Sequence, residues 1–194
     1  MEKFINKKYH YYDHWWQDDK KPQDKLTLEE AQRRFNDKKP TGNTFYILVG
    51  EDETDPKYII NYVSMDLISV YKLNDNFDDI VQISYIIMHN LDDNKLYLNQ
   101  FHFNKYDGIN AISNNLIIWS FIKNYNNGNP IWEVLEKQRN EYLVFANNKE
   151  EYSDITFTIN GNEQWREYPK FGNWDWMIED LEFLLNKYEE MKNE

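Results

Sequence analysis

The amino-acid sequence predicts an α+β fold that is mostly β, with an antiparallel meander sheet of about eight or nine short strands flanked by an N-terminal and a C-terminal helix. Three observations lead to this prediction. Short segments rich in Val, Ile, Tyr and Phe recur between residues 44 and 160, separated by turn-forming residues. A capped helical pattern precedes them, and an apolar helical face follows residue 175. The connections are short, which favours antiparallel neighbours.

The 194 residues are expected to form a single domain. Residues 1–40 are predicted to hold an aromatic N-terminal segment and a short helix. Residues 44–160 would form the sheet, and residues 175–192 the C-terminal helix. The first 25 residues, although densely aromatic, are predicted to be irregular.

Both helices have signals at their ends. Thr27 and Glu30 have the spacing of a capping box, in which each side chain satisfies a free backbone N–H of the first turn. Apolar residues follow at helical spacing up to Phe35, and Pro40 lies in the segment that stops this helix. The final helix has one apolar face, made of Met177, Ile178, Leu181, Leu184, Leu185, Tyr188 and Met191.

Nine segments between the helices have the length and composition of strands. They are 45–49, 58–63, 67–73, 80–88, 96–103, 116–122, 131–135, 142–146 and 155–159. The segment 131–135 has a short helix as its alternative. The fourth and fifth segments are expected to pair across Asp93-Asn94, which would place Tyr85 opposite His102 and Ile86 opposite Phe101.

The net charge of −12 is unevenly distributed. Residues 1–40 carry ten basic and eight acidic side chains, a charge of +2, and the remainder carries 12 basic and 26 acidic ones, a charge of −14. An acidic surface repels phosphate backbones, which argues against nucleic-acid binding. It attracts a basic protein and speeds the encounter. Solubility alone is the alternative explanation.

The composition also bears on the compartment. The chain has no cysteine, which excludes disulfides, thiolate metal sites and cysteine nucleophiles. No stretch approaches the roughly 20 apolar residues of a membrane-spanning helix. The residues that follow Met1 lack the apolar run of a signal peptide. We therefore expect a cytoplasmic protein without a membrane partner.

Motifs that carry catalysis are missing from the sequence. It contains no nucleophile elbow, phosphate-binding glycine loop or dinucleotide-binding fingerprint. On a helix, the i, i+4 spacing of His10 and His14 could place two imidazoles on one metal ion, but the aromatic surroundings favour structural packing. His89 and His102 are expected to pack across strands. We predict no catalytic residue, no metal site and no cofactor.

Five tryptophans have two possible roles. They could form a sugar-binding platform, or they could pack in the core where the helices meet the sheet. Core packing is the simpler interpretation. The five are Trp15, Trp16, Trp165, Trp174 and Trp176.

One ten-residue segment near the C-terminus reads Trp165-Arg166-Glu167-Tyr168-Pro169-Lys170-Phe171-Gly172-Asn173-Trp174. It resembles the Trp-Glu-x-x-Pro-x-Phe-Gly-Asp-Tyr type of ending found in immunity proteins, small bacterial proteins encoded beside polymorphic toxins. Glu167 is displaced from the position directly after Trp, and Asn173 replaces Asp. The aromatic hairpin before it and the Asn127-Gly128 turn are also similar. The resemblance implies a bacterial protein that binds and neutralises a toxin.

The same segment has a structural interpretation. Pro169 fixes the chain, Gly172 allows a tight bend, and Phe171 and Trp174 plug the core before the last helix. Together with Trp165, these residues are expected to form a structural motif rather than a partner-binding surface.

The leading functional prediction is a non-enzymatic, immunity-type inhibitor that binds a cognate toxin protein and neutralises it by occlusion. Acidic loops would steer a basic toxin surface, and a few aromatic residues would anchor it. The predicted partner-binding residues lie in loops: Glu51, Asp52, Glu53, Asp55, Asp78, Asp79, Asp92 and Asp93. The alternative is a small-ligand or carbohydrate-binding β-domain that uses surface tryptophans. An enzyme with an unfamiliar site is a third possibility.

Overall fold

The computed structural model describes residues 7–16, 19–37, 43–77, 79–88, 92–105, 113–126, 129–142, 156–160 and 165–192. Only the backbone is described for residues 79–80, 88, 92–93, 100–105, 165 and 187–192, and for all that is described between 113 and 160. The predicted strand at 142–146 therefore lies mostly outside the described residues.

One antiparallel sheet contains all the strands of the described chain. The predicted α+β, mostly β meander is confirmed, because eight of these strands follow one another in sequence order across the sheet. They are β3 (Phe45–Gly50), β4 (Pro56–Ser64), β5 (Leu67–Leu73), β6 (Asp79–Met88), β7 (Asp92–Lys105), β8 (Ser113–Asn126), β9 (Asn129–Tyr142) and β10 (Thr156–Asn160). The segment 131–135 thus belongs to a strand and not to a helix.

The N-terminal segment extends this sheet, so the prediction that it is irregular is wrong. Strand β1 (Lys8–Trp16) pairs with β3, and β2 (Lys21–Lys25) pairs with β1 at the outer edge. Aromatic residues occupy both faces of β1, so the segment lacks the alternation of apolar and polar residues that marks a half-buried strand. Lysines and Pro22 on β2 suit an exposed edge, because they discourage pairing with another chain.

The β6–β7 hairpin has a different register from the predicted one. Tyr85 lies opposite Leu98, and Ile86 lies opposite Tyr97, whereas His102 lies opposite Gln82. Two irregularities in the pairing, after Ser84 and after Ile87, shift the register. Asp93 and Asn94 also lie within β7 rather than in a turn, and Met88 pairs with Asp92.

Two strands share one edge of β7. The second half of β7, from Gln100 to Lys105, pairs with β8. The first half, at 95–97, pairs with β11 (Trp165–Glu167), a three-residue strand that the sequence did not predict. The pairing of β7 with β8 therefore ends before the part of β7 that pairs with β11, while β8 stays paired with β9.

Two helices cover one face of the sheet. Helix α1 (Leu28–Asn36) lies between β2 and β3 in the chain. Its N-cap residue is Thr27, whose hydroxyl accepts a hydrogen bond from the Glu30 N–H at 3.1 Å. In a full capping box the Glu30 side chain would bond the backbone N–H of Thr27. The Glu30 carboxylate instead accepts hydrogen bonds from Arg33 and Arg34. Helix α2 (Asp175–Lys192) has the predicted bounds and directs Met177, Ile178, Leu181 and Leu184 into the core.

Phe35 of α1 packs against the sheet and against the segment that precedes α2. Its ring centroid lies 5.3 Å from that of Tyr62 on β4 and 5.6 Å from that of Trp174 at the start of α2. Phe171 and Tyr168 contact the same ring at 5.7 and 5.8 Å. Tilted and edge-on pairs of this kind stabilise a core beyond simple burial of area. Phe35 thereby fixes the segment that precedes α2.

Candidate functional site

The loop between β3 and β4 holds four of the predicted partner-binding residues, and Asp52 shapes it. The Asp52 carboxylate accepts hydrogen bonds from the Thr54 N–H at 2.8 Å, the Thr54 hydroxyl at 2.7 Å and the Asp55 N–H at 3.1 Å. These bonds, that of the Thr54 hydroxyl first, lower the pKa of Asp52. Glu51 stands exposed beside it. Asp52 is thus a loop-forming residue as well as a surface charge.

Glu53 is bonded within the protein rather than left to solvent. Its carboxylate accepts hydrogen bonds from Lys25 on β2 and, at 2.9 Å, from the Tyr12 hydroxyl on β1. The Lys25 bond and then the Tyr12 bond lower the pKa of Glu53. Burial, followed by the Glu53 contact, raises the pKa of Tyr12 to about 12. Glu53 therefore fastens the loop onto the N-terminal strands.

Lys57 joins this loop to the turn between β5 and β6, which lies at the same end of the strands. Lys57 Nζ lies 3.0 Å from Asp55 and 3.5 Å from Asp75, which belongs to the turn between β5 and β6. The side chain of Asp75 is 99% exposed. Asp75 was not among the partner-binding residues predicted from the sequence. Only the pairing of β4 with β5 and of β5 with β6 brings its turn beside the acidic loop.

We call the surface formed by Glu51, Asp52, Asp55 and Asp75 the acidic edge. The remaining predicted residues do not all join it. Asp78 lies outside the described residues, and Asp79 begins β6 at the same end of the sheet, paired with Leu73. Asp92 and Asp93 begin β7 at the other end of β6, about 30 Å away along a strand of this length. The predicted partner-binding residues therefore lie at two opposite ends of the strands.

An aromatic cleft of about 320 Å³ lies beside the acidic edge. Trp15 and Phe77 contribute to its lining, and Glu53 and Thr54 of the acidic loop close one side. Its full lining is Tyr12, Trp15, Lys20, Lys21, Pro22, Glu53, Thr54, Pro56 and Phe77. The neighbouring Trp16 is 49% exposed, and its ring stacks on His14 with centroids 6.4 Å apart. Aromatic surface and carboxylates are thus adjacent at one end of the sheet.

The alternative role of His10 and His14, as two ligands of one metal ion, required a helix, whereas both residues lie on strand β1. Four residues on a strand span about 13 Å. His14 instead lies near Asp13 and Asp24, whose ligand atoms gather within 4.8 Å of one another. Asp13 and Asp24 lie between two pairs of the β1–β2 register, Tyr12 with Lys25 and His14 with Gln23. The Asp13 carboxylate is bonded to Arg34, and His14 Nδ1 lies 2.6 Å from the same carboxylate. Asp13 therefore already has partners within the protein.

The segment that resembles an immunity-protein ending contributes side chains to the core. Trp174 and Pro169 are buried, and Phe171 stacks on Tyr11 with centroids 5.4 Å apart. Gly172 has a φ of 85°, a left-handed conformation that favours glycine at this bend. The backbone of Trp165 pairs with Tyr97. This part of the chain closes the core between the sheet and α2.

A second cleft, of about 570 Å³, opens on the outer side of that segment. We call it the α2 cleft. Its lining is Arg166, Glu167, Tyr168, Pro169, Lys170, Asn173, Trp176, Glu179, Asp180 and Phe183. This cleft was not predicted from the sequence. The available signal was the spacing of Trp176 and Phe183, seven residues apart and outside the apolar face of the helix.

Among the described residues, no helix is both long and apolar enough to span a bilayer. No protein-family model, no curated protein and no solved structure matches this chain.

Proposed function

We propose that this protein is a non-enzymatic inhibitor of the immunity type, which binds a cognate toxin protein and neutralises it by occlusion. One observation carries the proposal: exposed carboxylates of the acidic edge lie beside a cleft lined by Trp15 and Phe77. The resemblance of residues 165–174 to immunity proteins agrees with it. The proposal includes a cytoplasmic location and requires no cofactor.

The arrangement suits a protein partner for a physical reason. Binding energy at interfaces is concentrated in a few aromatic anchors that fill pockets, and charges around them chiefly set the rate and orientation of approach. Trp15 and Phe77 would serve as anchors, while Glu51 and Asp75 would steer a basic surface. Both carboxylates are exposed, so their steering weakens as salt screens them.

The test is a titration of this protein with the C-terminal domain encoded immediately upstream of its gene, at low and high salt. We expect a 1:1 complex with nanomolar affinity whose association slows as salt rises. Changing Glu51→Gln should slow association at low salt by roughly 2-fold or more and have little effect at high salt. Glu29→Gln is the matched control, because Glu29 is an exposed glutamate on α1 that does not belong to the acidic edge.

The anchoring role has its own variant. Trp15→Ala should speed dissociation, since anchors act mainly on the lifetime of a complex. A domain that does not bind at micromolar concentration would remove this pairing. Binding that is unchanged by both Glu51→Gln and Trp15→Ala would show that the partner uses another surface.

A carbohydrate-binding function is the second candidate, because Trp15, Tyr12 and Phe77 line one cleft with charged groups at its rim. An aromatic ring can stack on a sugar while polar groups fix its orientation. Titration with oligosaccharides, followed by tryptophan fluorescence, separates the two. Saturable quenching that Trp15→Ala abolishes and Glu51→Gln leaves intact would favour the sugar.

A further inference from the structure

Helix α2 has a second face besides the one that it buries. Trp176, Glu179, Asp180 and Phe183 follow at i, i+3, i+4 and i+7, so they lie along one side of the helix. Two aromatic residues therefore bracket two carboxylates. Phe183 is 53% exposed and Trp176 is half-buried, with its ring edge-on to Tyr85 at 5.5 Å. All four side chains line the α2 cleft.

The chain itself places one arginine in this cleft. Arg166 donates to Asp180 with two nitrogen atoms, at 2.6 and 2.8 Å, in a two-point contact that a planar guanidinium makes with a carboxylate. This pair neutralises itself. The other ionised groups of the lining are then Glu167, Glu179 and Lys170, which leave one negative charge. Glu167 and Glu179 are both exposed, so they can accept a second cation.

We infer that the α2 cleft binds an arginine side chain presented by a partner protein. A guanidinium is planar, stacks on aromatic faces and pairs with carboxylates at two points, and Trp176, Phe183 and Glu179 supply both kinds of contact. The volume of about 570 Å³ accommodates a side chain of this size with part of its backbone. The inference rests on the proposed function only in taking the partner to be a protein.

The test uses a short blocked peptide that contains one arginine, and an identical peptide in which citrulline, the uncharged isostere, replaces it. Binding is followed by the chemical shifts of the indole and backbone N–H groups of α2. The arginine peptide should shift signals around Trp176 and Glu179 saturably, and the citrulline peptide should not. Phe183→Ala and Glu179→Gln should each weaken binding by roughly 2- to 5-fold, the range for one exposed cation–π or charged contact.

Matched controls lie on α1. Leu28 is also an exposed apolar side chain and Glu29 an exposed glutamate, so Leu28→Ala and Glu29→Gln should leave peptide binding unchanged. Equal binding of the two peptides, or an arginine response that survives both cleft substitutions, overturns the inference.

The peptide assay contains no toxin, so the two proposals fail separately. If the upstream domain binds and the arginine peptide does not, the inference on the cleft falls and the inhibitor function stands. If the peptide binds and the upstream domain does not, the inference on the cleft stands and the inhibitor function falls. If both bind, Phe183→Ala in the titration with the upstream domain shows whether that partner uses the cleft.

Discussion

The hydroxyl of Tyr85, buried on β6, lies 2.9 Å from the Asp180 carboxylate on α2. The same carboxylate accepts two bonds from Arg166. One acidic side chain therefore joins α2 to strand β6 and to strand β11. The Tyr85 hydroxyl and two nitrogen atoms of Arg166 all donate to this carboxylate.

We predict that Asp180→Ala lowers the free energy of unfolding by about 2–3 kcal/mol, because it removes the acceptor of the buried Tyr85 hydroxyl and of two charge-assisted bonds from Arg166. Tyr85→Phe should cost about 1 kcal/mol, since it removes only one donor. Urea unfolding of both single variants and the double variant gives the coupling energy. Additive losses would show that the two residues act independently.

A second prediction concerns the cap of α1. Thr27→Ala should cost about 1 kcal/mol, because the Glu30 N–H loses the side-chain oxygen that accepts its hydrogen bond. Thr27→Ser keeps that oxygen and should retain most of the stability, measured by urea unfolding. Equal losses for the two variants would assign the effect to the methyl group of threonine instead.

The two described glycines should respond differently to alanine. A Cβ at Gly50 would lie 2.6 Å from the Asp55 carbonyl oxygen, whereas one at Gly172 would meet nothing within 4 Å. Gly50→Ala should therefore cost about 1–3 kcal/mol and displace the acidic loop. Gly172→Ala should cost about 1–2 kcal/mol, through its left-handed backbone alone. Amide chemical shifts of residues 51–55 should move in the first variant and stay in the second.

Stability should fall in alkali because several tyrosines resist ionisation in the folded protein. Burial, followed by contact with an acidic side chain, raises the pKa of Tyr58, and burial with Asp180 nearby raises that of Tyr85. Tyrosine in the unfolded chain ionises near pH 10. Above that pH the unfolded state binds fewer protons than the folded one, so the stabilisation present below about pH 10 is lost as the pH rises.

The measurement for this prediction is the urea midpoint between about pH 9 and pH 11, with tyrosinate absorbance recorded in parallel. Absorbance from the buried tyrosines should appear together with unfolding and not before it. A midpoint that stays constant over this range while tyrosinate forms would contradict the prediction.

The sequence was sufficient to locate strands β3–β8 and β10, because turn-forming residues separate segments of strand composition, but it left 131–135 of β9 open between a strand and a helix. It was insufficient for β1, where Tyr9 and Tyr11 face the core side while His10 and Tyr12 lie on the other face. Large aromatic residues on both faces conceal the period of two on which strand prediction depends.

The acidic loop was predicted from the sequence, but the hydrogen bonds and ion pairs that its residues make were not. Glu53 is bonded to Lys25 and Tyr12, which are 28 and 41 residues away in the chain. Only the tertiary pairing of β1 with β3 brings them together. The α2 cleft was missed for a related reason, because its wall comes from Arg166, and helical spacing alone does not show what a second face will meet.

The shared edge of β7 has a consequence for the start of the last helix. Strand β7 pairs with β8 along its 100–105 half and with β11 along its 95–97 half, so two segments that are far apart in the chain are joined to one strand. Helix α2 begins at Asp175, only eight positions after the end of β11 at Glu167. The pairing of three residues with β7 therefore sets where the last helix begins.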